Sequence, residues 1–373
     1  MFVFGIVMAL LGAILPLLAE RLRFDLAGIG TLFLVMNSCM LACCLVLGLA
    51  MDRFGMKPEI VLGPVAVALA LLIMPRADRF ETLVIGAALL GIGGGALNGA
   101  TNTLVADLHA DPNRKNAALN LLGVFFGIGA LFLPFTIGAL LARLSLEAIL
   151  RSAALLCLGA AVYALALRFP APKQGRRLPA GEMQGFLRSP LVLGMGFLLF
   201  FESGNEFMLG GYISTFLTRE LALPIATASW LLAAYWGAIM IARLWLSSLL
   251  LRIDGGTTVI ASAFVAAAGA VMIMGSRNAS TAGAGVAVTG FALAGIFPTV
   301  LGMAGAQFRE HSGTVFGILL AISLSGGMIM PWLAGNVGQW FGLRCVFAMV
   351  AGNFGAILIL QLWLRRFADA NPS

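Results

Sequence analysis

Apolar residues dominate this chain in long runs, and the polar residues gather between them. Twelve runs are long enough to predict helices that cross a bilayer, which takes about 20 apolar residues at 1.5 Å rise each. They cover roughly Phe2–Leu18, Leu26–Leu49, Ile60–Met74, Thr82–Val105, Ala117–Leu141 and Ile149–Leu167. After a break come Leu191–Leu217, Ala228–Leu251, Thr257–Met274, Ala282–Ala304, Gly313–Ala334 and Leu343–Leu364. The break, Arg168–Ser189, is the one long polar stretch; it holds Lys173, Arg176, Arg177 and Arg188 with Pro170, Pro172 and Pro179. The expected architecture is an all-α membrane protein of 12 transmembrane helices. Two six-helix bundles, over residues 1–168 and 190–373, are joined by a cytoplasmic linker over 169–189.

Composition agrees. The 373 residues are 61% hydrophobic and 10% charged, with mean hydropathy +1.01; soluble domains are about 45–50% apolar and about 25% charged. A water-soluble globule of this composition would lack a polar surface. The net charge of +7 therefore reads as topology, not as affinity for nucleic acid. With the N-terminus inside, inner segments (Arg53, Lys57, Arg114, Lys115 and the linker cations among them) outweigh outer ones such as Arg21, Arg76, Arg143 and Arg219. That bias predicts both termini in the cytoplasm, and the expected location is the inner cell membrane. The five cysteines all fall in apolar runs, without CxxC or Cys/His spacing, so neither a metal site nor a cofactor is expected. The apolar run starting at Phe2 leads straight to Pro16 without a charged n-region, so no cleavable signal is expected.

The chemistry concentrates in the seventh run, LVLGMGFLLFFESGNEFMLGGYISTFL, Leu191–Leu217. Glu202, Asn205 and Glu206 stand at i, i+3 and i+4, on one helical face. A charge at bilayer mid-depth costs about 2.5–3.5 kcal/mol on insertion scales. Two carboxyls there must look into protein or a wet cavity, and desolvation beside a like-charged neighbour favours a proton on at least one of them. Glu206 is the expected coupling residue and Glu202 its tuner; the plain alternative is structural pairing with other helices. Elsewhere, depth in the spans picks out Asn37, Tyr235, Trp236 and Thr299 as candidate substrate contacts, joined by Ser323 and Ser325; Asn98 and Asn102 share a face of span four, and Asn205 lies on the acidic face of span seven. Aromatic faces stack on sugar rings and amides or hydroxyls take directed hydrogen bonds. Arg243, deep in the eighth run, needs a partner. A helix-end carbonyl or Asp254 is the expected one, because the depth difference argues against Glu202 or Glu206.

Two further patterns carry family information. After the second run the chain reads GLAMDRFGMKP, with Asp52, Arg53, Gly55 and Lys57 as candidate gating residues at a tight cytoplasmic turn. The fifth and eleventh runs both contain G-x4-P-x3-G: Gly129, Pro134, Gly138 and, 197 residues later, Gly326, Pro331, Gly335. Proline and paired glycines permit kinks and close backbone approach, and their recurrence points to duplication. The loop pattern, twelve spans and six-plus-six division resemble the major facilitator superfamily. Within it, the span-four and span-five sequences (GIGGGALNGATNTLVADL, AALNLLGVFFGIGALFLP), the span-seven GNEFMLGGYISTFL and the span-ten Ile296-Phe297-Pro298-Thr299 are similar to the fucose:proton symporter family. That resemblance implies a proton-coupled sugar transporter with Glu206, Asn98, Asn102 and Asn120 at the family's acidic and amide positions. Gly123 stands where many relatives carry histidine, spans one and four lack a mid-membrane carboxylate, and Glu202 is extra. These departures point away from fucose itself and place coupling on span seven.

The expected function is a secondary active transporter moving a small polar solute, a monosaccharide above all, by alternating access and as a monomer in the lipid bilayer. Proton coupling leads and sodium coupling is its variant. A drug or lipid exporter of the same superfamily is the alternative, lowered by Leu133 where the antiporters carry glycine before the span-five proline. An enzyme is not expected: the chain shows no nucleophile–base pair, metal set or phosphate loop.

Overall fold

The computed structural model describes residues 1–108, 112–170, 185–249, 254–308 and 311–370. They form α1 (Phe2–Leu22), α2 (Leu26–Phe54), α3 (Lys57–Ile73), α4 (Phe80–Leu108), α5 (Pro112–Leu140) and α6 (Leu146–Ala166). The second half forms α7 (Pro190–Arg219), α8 (Ile225–Leu249), α9 (Gly255–Gly275), α10 (Ala279–Leu293), α11 (Ile296–Gln307), α12 (Ser312–Phe341) and α13 (Leu343–Ala370). Twelve crossings result among the described residues, the tenth built from α10 and α11 together. Most of the expected linker lies outside the described residues.

Local chemistry explains the helix boundaries. Ser145, Asp254 and Asn278 cap α6, α9 and α10 by accepting from the backbone N–H three residues on, which satisfies donors that a helix start leaves orphaned. Proline opens α7 at Pro190, where its missing N–H costs nothing. Gly55 makes the turn between α2 and α3 at φ +76°, a backbone region open to glycine at little cost. The tenth run, expected as one unbroken helix, is interrupted at Ala294–Gly295. Pro298 is the cause: its ring collides with the carbonyl four residues back, at Ala294, and offers it no N–H.

The first six crossings pack as one bundle (α2 with α4, α3 with α4 and α6, α1 with α5), and the last six as another (α7 with α12 and α13, α9 with α10 and α13). The bundles meet along three seams: α2 with α12, α5 with α8, and α1 with α7. The seams are related by the duplication. At the centre of the third, a Cβ on Gly12 would run into the Gly210 carbonyl, so two glycines in matching places in the two halves meet each other. Even numbers of crossings in each bundle put the start of α1, the end of α6, the start of α7 and the end of α13 at one end of the molecule, here the linker end; the opposite end is the far end.

Candidate functional site

The described side-chain contacts between the bundles lie from mid-depth to the far end. At the far end the backbone of one residue, Leu26, is held at both its N–H and its carbonyl. Gln339 of α12 accepts from the Leu26 N–H at 3.2 Å, so the second bundle helps cap a helix of the first. The buried Tyr212 hydroxyl of α7 donates to Pro331 O at 2.9 Å and lies 3.4 Å from Leu26 O. Phe33 stacks against Tyr212 and meets Phe207 edge-on, closing the space beneath. On the α5–α8 seam, Phe135 meets Trp230 edge-on at 4.7 Å and Phe126 meets Trp236 at 6.1 Å.

The acidic pair sits at the base of this closure. Glu202 is 1% exposed and its Oε2 has no hydrogen-bond partner. Glu206, one turn on, lies 4.0 Å from the Arg243 guanidinium of α8, whose side chain is 29% exposed. The expectation for Arg243 is therefore overturned. Asp254 is taken by Arg365 of α13 at 2.6 Å and by the α9 cap. Arg243 reaches Glu206 because α7 and α8 run in opposite directions. Counted from the far end, their Cα atoms differ in depth by about 7 Å, which a long arginine can span. The guanidinium also covers the Phe126 ring of α5 at 5.4 Å from its centroid. Tyr235 and Trp236 complete the cluster: both are buried, with hydroxyl and indole N–H unpartnered, and the charges nearest Tyr235 are Glu206, Glu202 and Arg243. A buried polar atom without a partner is uncommon in proteins; Glu202 Oε2, the Tyr235 hydroxyl, the Trp236 Nε1 and the Arg243 Nε are four of them on α7 and α8.

Other expected residues go elsewhere. Asn205 faces α13, where it donates to Val350 O at 3.2 Å and accepts from Asn353 at 2.9 Å. Thr299 bonds back to Gly295 O and sets its methyl against the start of α9. Asn37 is buried on α2 and donates to Phe33 O, leaving its own oxygen unpartnered. On α4, Asn102 donates to the Asn98 side chain at 3.0 Å, and both are half-buried. Ser325 bonds back to Ala321 O. Lys57 ties α3 to the end of α6, donating to Leu165 O and Leu167 O at 2.8 and 3.2 Å; a cation suits the orphaned carbonyls of a helix C-terminus. The side chains of Asp52, Arg53 and Asn120 lie outside the described residues. Among the residues at the seams and the site that the sequence did not single out are Phe126, Tyr212, Gln339 and Asn353. Tyr212 stands in the span-seven pattern and Phe126 in the span-five one; Gln339 and Asn353 carry no such mark.

Twelve apolar crossings in two bundles make this an integral membrane protein. The chain belongs to the Major Facilitator Superfamily, whose pattern matches residues 1–204 and again 195–373. Among curated relatives, a Protein TsgA homolog of Erwinia tasmaniensis is 21% identical over 365 residues, covering 96% of this chain and 91% of its own length. A glucose/galactose transporter of Brucella abortus is 25% identical over 319 residues, covering 81% of this chain and 77% of its own. Among solved structures, a point mutant of the nucleoside transporter NupG superimposes with TM-score 0.82 at 15% identity, covering 97% of both chains. A point mutant of the Escherichia coli fucose:proton symporter FucP superimposes with TM-score 0.64 at 16% identity over 97% of this chain and 96% of that one. These structures share the fold.

Proposed function

We propose that the protein is a secondary active transporter carrying a small polyhydroxylated solute, a monosaccharide above all, by alternating access. Uphill movement is coupled to protons at the Glu202–Glu206 pair, with both termini in the cytoplasm and the cytoplasmic membrane as the location. The carrying observation is the pair of carboxyls in mid-membrane, one without any hydrogen-bond partner on Oε2 and the other beside a partly exposed arginine. Carboxyls at such depth are expensive unless they serve a transported ion or solute. The glucose/galactose transporter among the relatives supports a sugar. Asn205 spends its amide on α13, which removes an oxygen ligand that sodium would use here and favours the proton. The side-chain contacts at mid-depth and the far end suit the end-state open toward the linker side.

The test is sugar uptake into proteoliposomes under an imposed pH gradient, with glucose and galactose first and a sodium gradient as the second arm. Glu206→Gln is expected to abolish uphill accumulation while leaving sugar exchange measurable. Accumulation by that variant at the wild-type level would remove the coupling role.

A further inference from the structure

We infer that Arg243 is the positioning residue through which the acidic pair acts on the contact between the two bundles, its guanidinium being shared between Glu206 on its own bundle and the Phe126 ring on the other. The inference rests on the proton-coupled reading above and adds the part that moves.

The geometry is that of a group with two competing partners. At 4.0 Å from Glu206 the guanidinium is within Coulomb reach but beyond a hydrogen bond. Its Nε has no hydrogen-bond partner. At 5.4 Å from the ring centroid it lies inside the range of a cation–π contact. The ring is held in place: Phe126 is 6% exposed, tilts against Phe4 of α1 at 5.5 Å and meets the Trp236 edge at 6.1 Å. One partner is a titratable group within the second bundle; the other is a fixed, neutral ring of the first.

The charge on Glu206 then decides where Arg243 is drawn. A carboxylate pulls the guanidinium toward α7 and relaxes its hold on α5. A proton on Glu206 cancels that pull, and attraction to the ring across the seam is what remains. Binding a proton thus strengthens the α5–α8 contact at mid-depth, which the bundles must rearrange to change which end is closed. The charged and titratable groups facing this point are Glu202 and Glu206 from α7 and Tyr235 from α8. The described side chains of α5 and α10 add none, nor does α1 between Phe2 and Ala19. Arginine suits the place better than lysine, since a weakly hydrated planar cation stacks on a ring that an ammonium serves less well.

Phe126→Leu keeps the apolar bulk and removes the ring, and Phe126→Tyr restores a ring. Both are compared with wild type and Glu206→Gln for pH-driven accumulation, sugar exchange and the pH profile of exchange. Phe126→Leu is expected to lower accumulation about threefold to tenfold, between the exposed and the desolvated scale of a cation–π contact, to flatten the pH profile and to leave exchange near wild type, with Phe126→Tyr recovering both lost properties. Wild-type accumulation in Phe126→Leu, while Glu206→Gln has lost it, would overturn this inference and leave the proton reading standing. An equal loss of exchange and accumulation in Phe126→Leu would also overturn it, by reducing the ring to packing. Wild-type accumulation in Glu206→Gln would remove the reading itself.

Discussion

Helices α5 and α12 carry the same glycine–proline–glycine device, and the structure places the two copies in matching contacts. Gly129 of α5 lies so close to the Phe2 carbonyl of α1 that a Cβ there would collide with it; Gly326 of α12 stands in the same relation to the Phe200 carbonyl of α7. The last glycine of each copy faces the opposite bundle: Gly138 meets the Ala226 carbonyl and Trp230 at the start of α8, and Gly335 meets the Leu26 carbonyl at the start of α2. Duplication therefore fixed the backbone of both seams. Their side chains have diverged. The α5–α8 seam is aromatic at Phe135–Trp230 and Phe126–Trp236 and carries the Arg243 cation, whereas the α2–α12 seam is tied by Tyr212 and Gln339 to the backbone of Leu26. A hydrogen-bonded latch breaks over a few tenths of an ångström, but an aromatic contact can slide. The difference suits one seam to holding an end shut and the other to answering a charge.

That contrast can be broken by overfilling it. Gly335→Leu is expected to cost about 1–3 kcal/mol or more, because the Tyr212 hydroxyl and the Leu26 carbonyl leave no room for a Cβ. Gly138→Leu should cost less, since a Trp230 ring can swing aside. The check is Tm in detergent for both variants, with spin-label distances across each far-end seam: Gly335→Leu should hold the far end apart and Gly138→Leu should not. Equal effects would mean that the two seams are mechanically alike. A gentler version is Tyr212→Phe, which removes one buried hydrogen bond worth about 1 kcal/mol. It should lower Tm slightly and raise far-end accessibility without changing sugar exchange at saturation.

The smallest effect is expected away from both seams. The Thr257 backbone N–H and the Arg365 guanidinium hold the Asp254 carboxyl below the usual carboxylate range. A carboxyl whose folded value is depressed lends stability above its unfolded value, near 3.9, and that stability fades as pH falls through the lower folded value. Melting curves of wild type and Asp254→Asn should differ modestly at neutral pH and converge below about pH 4. A gap that persists in acid would assign the effect to the α9 cap geometry and not to charge.

The acidic face of α7 was legible because carboxyls inside an apolar run are conspicuous. The duplicated glycines were legible because spacing survives divergence. Arg243 was conspicuous too, yet its partner was misjudged: counting rise along a helix gives Cα depth but ignores the reach and direction of a long side chain. Asn205 shares the i, i+3, i+4 spacing with the glutamates and still turns to Asn353, since one helical face is wide enough to touch two neighbours.

Sequence alone determined the twelve crossings, the two bundles and the presence of costly charge at mid-depth, because each follows from hydropathy, length or spacing along a single stretch. Which ring lies beneath Arg243, which backbone residue Tyr212 and Gln339 grip, and which of the polar side chains meet one another were decided only when helices far apart in the chain packed together. Such contacts depend on the rotation and crossing of whole helices, and no local run of residues records those quantities.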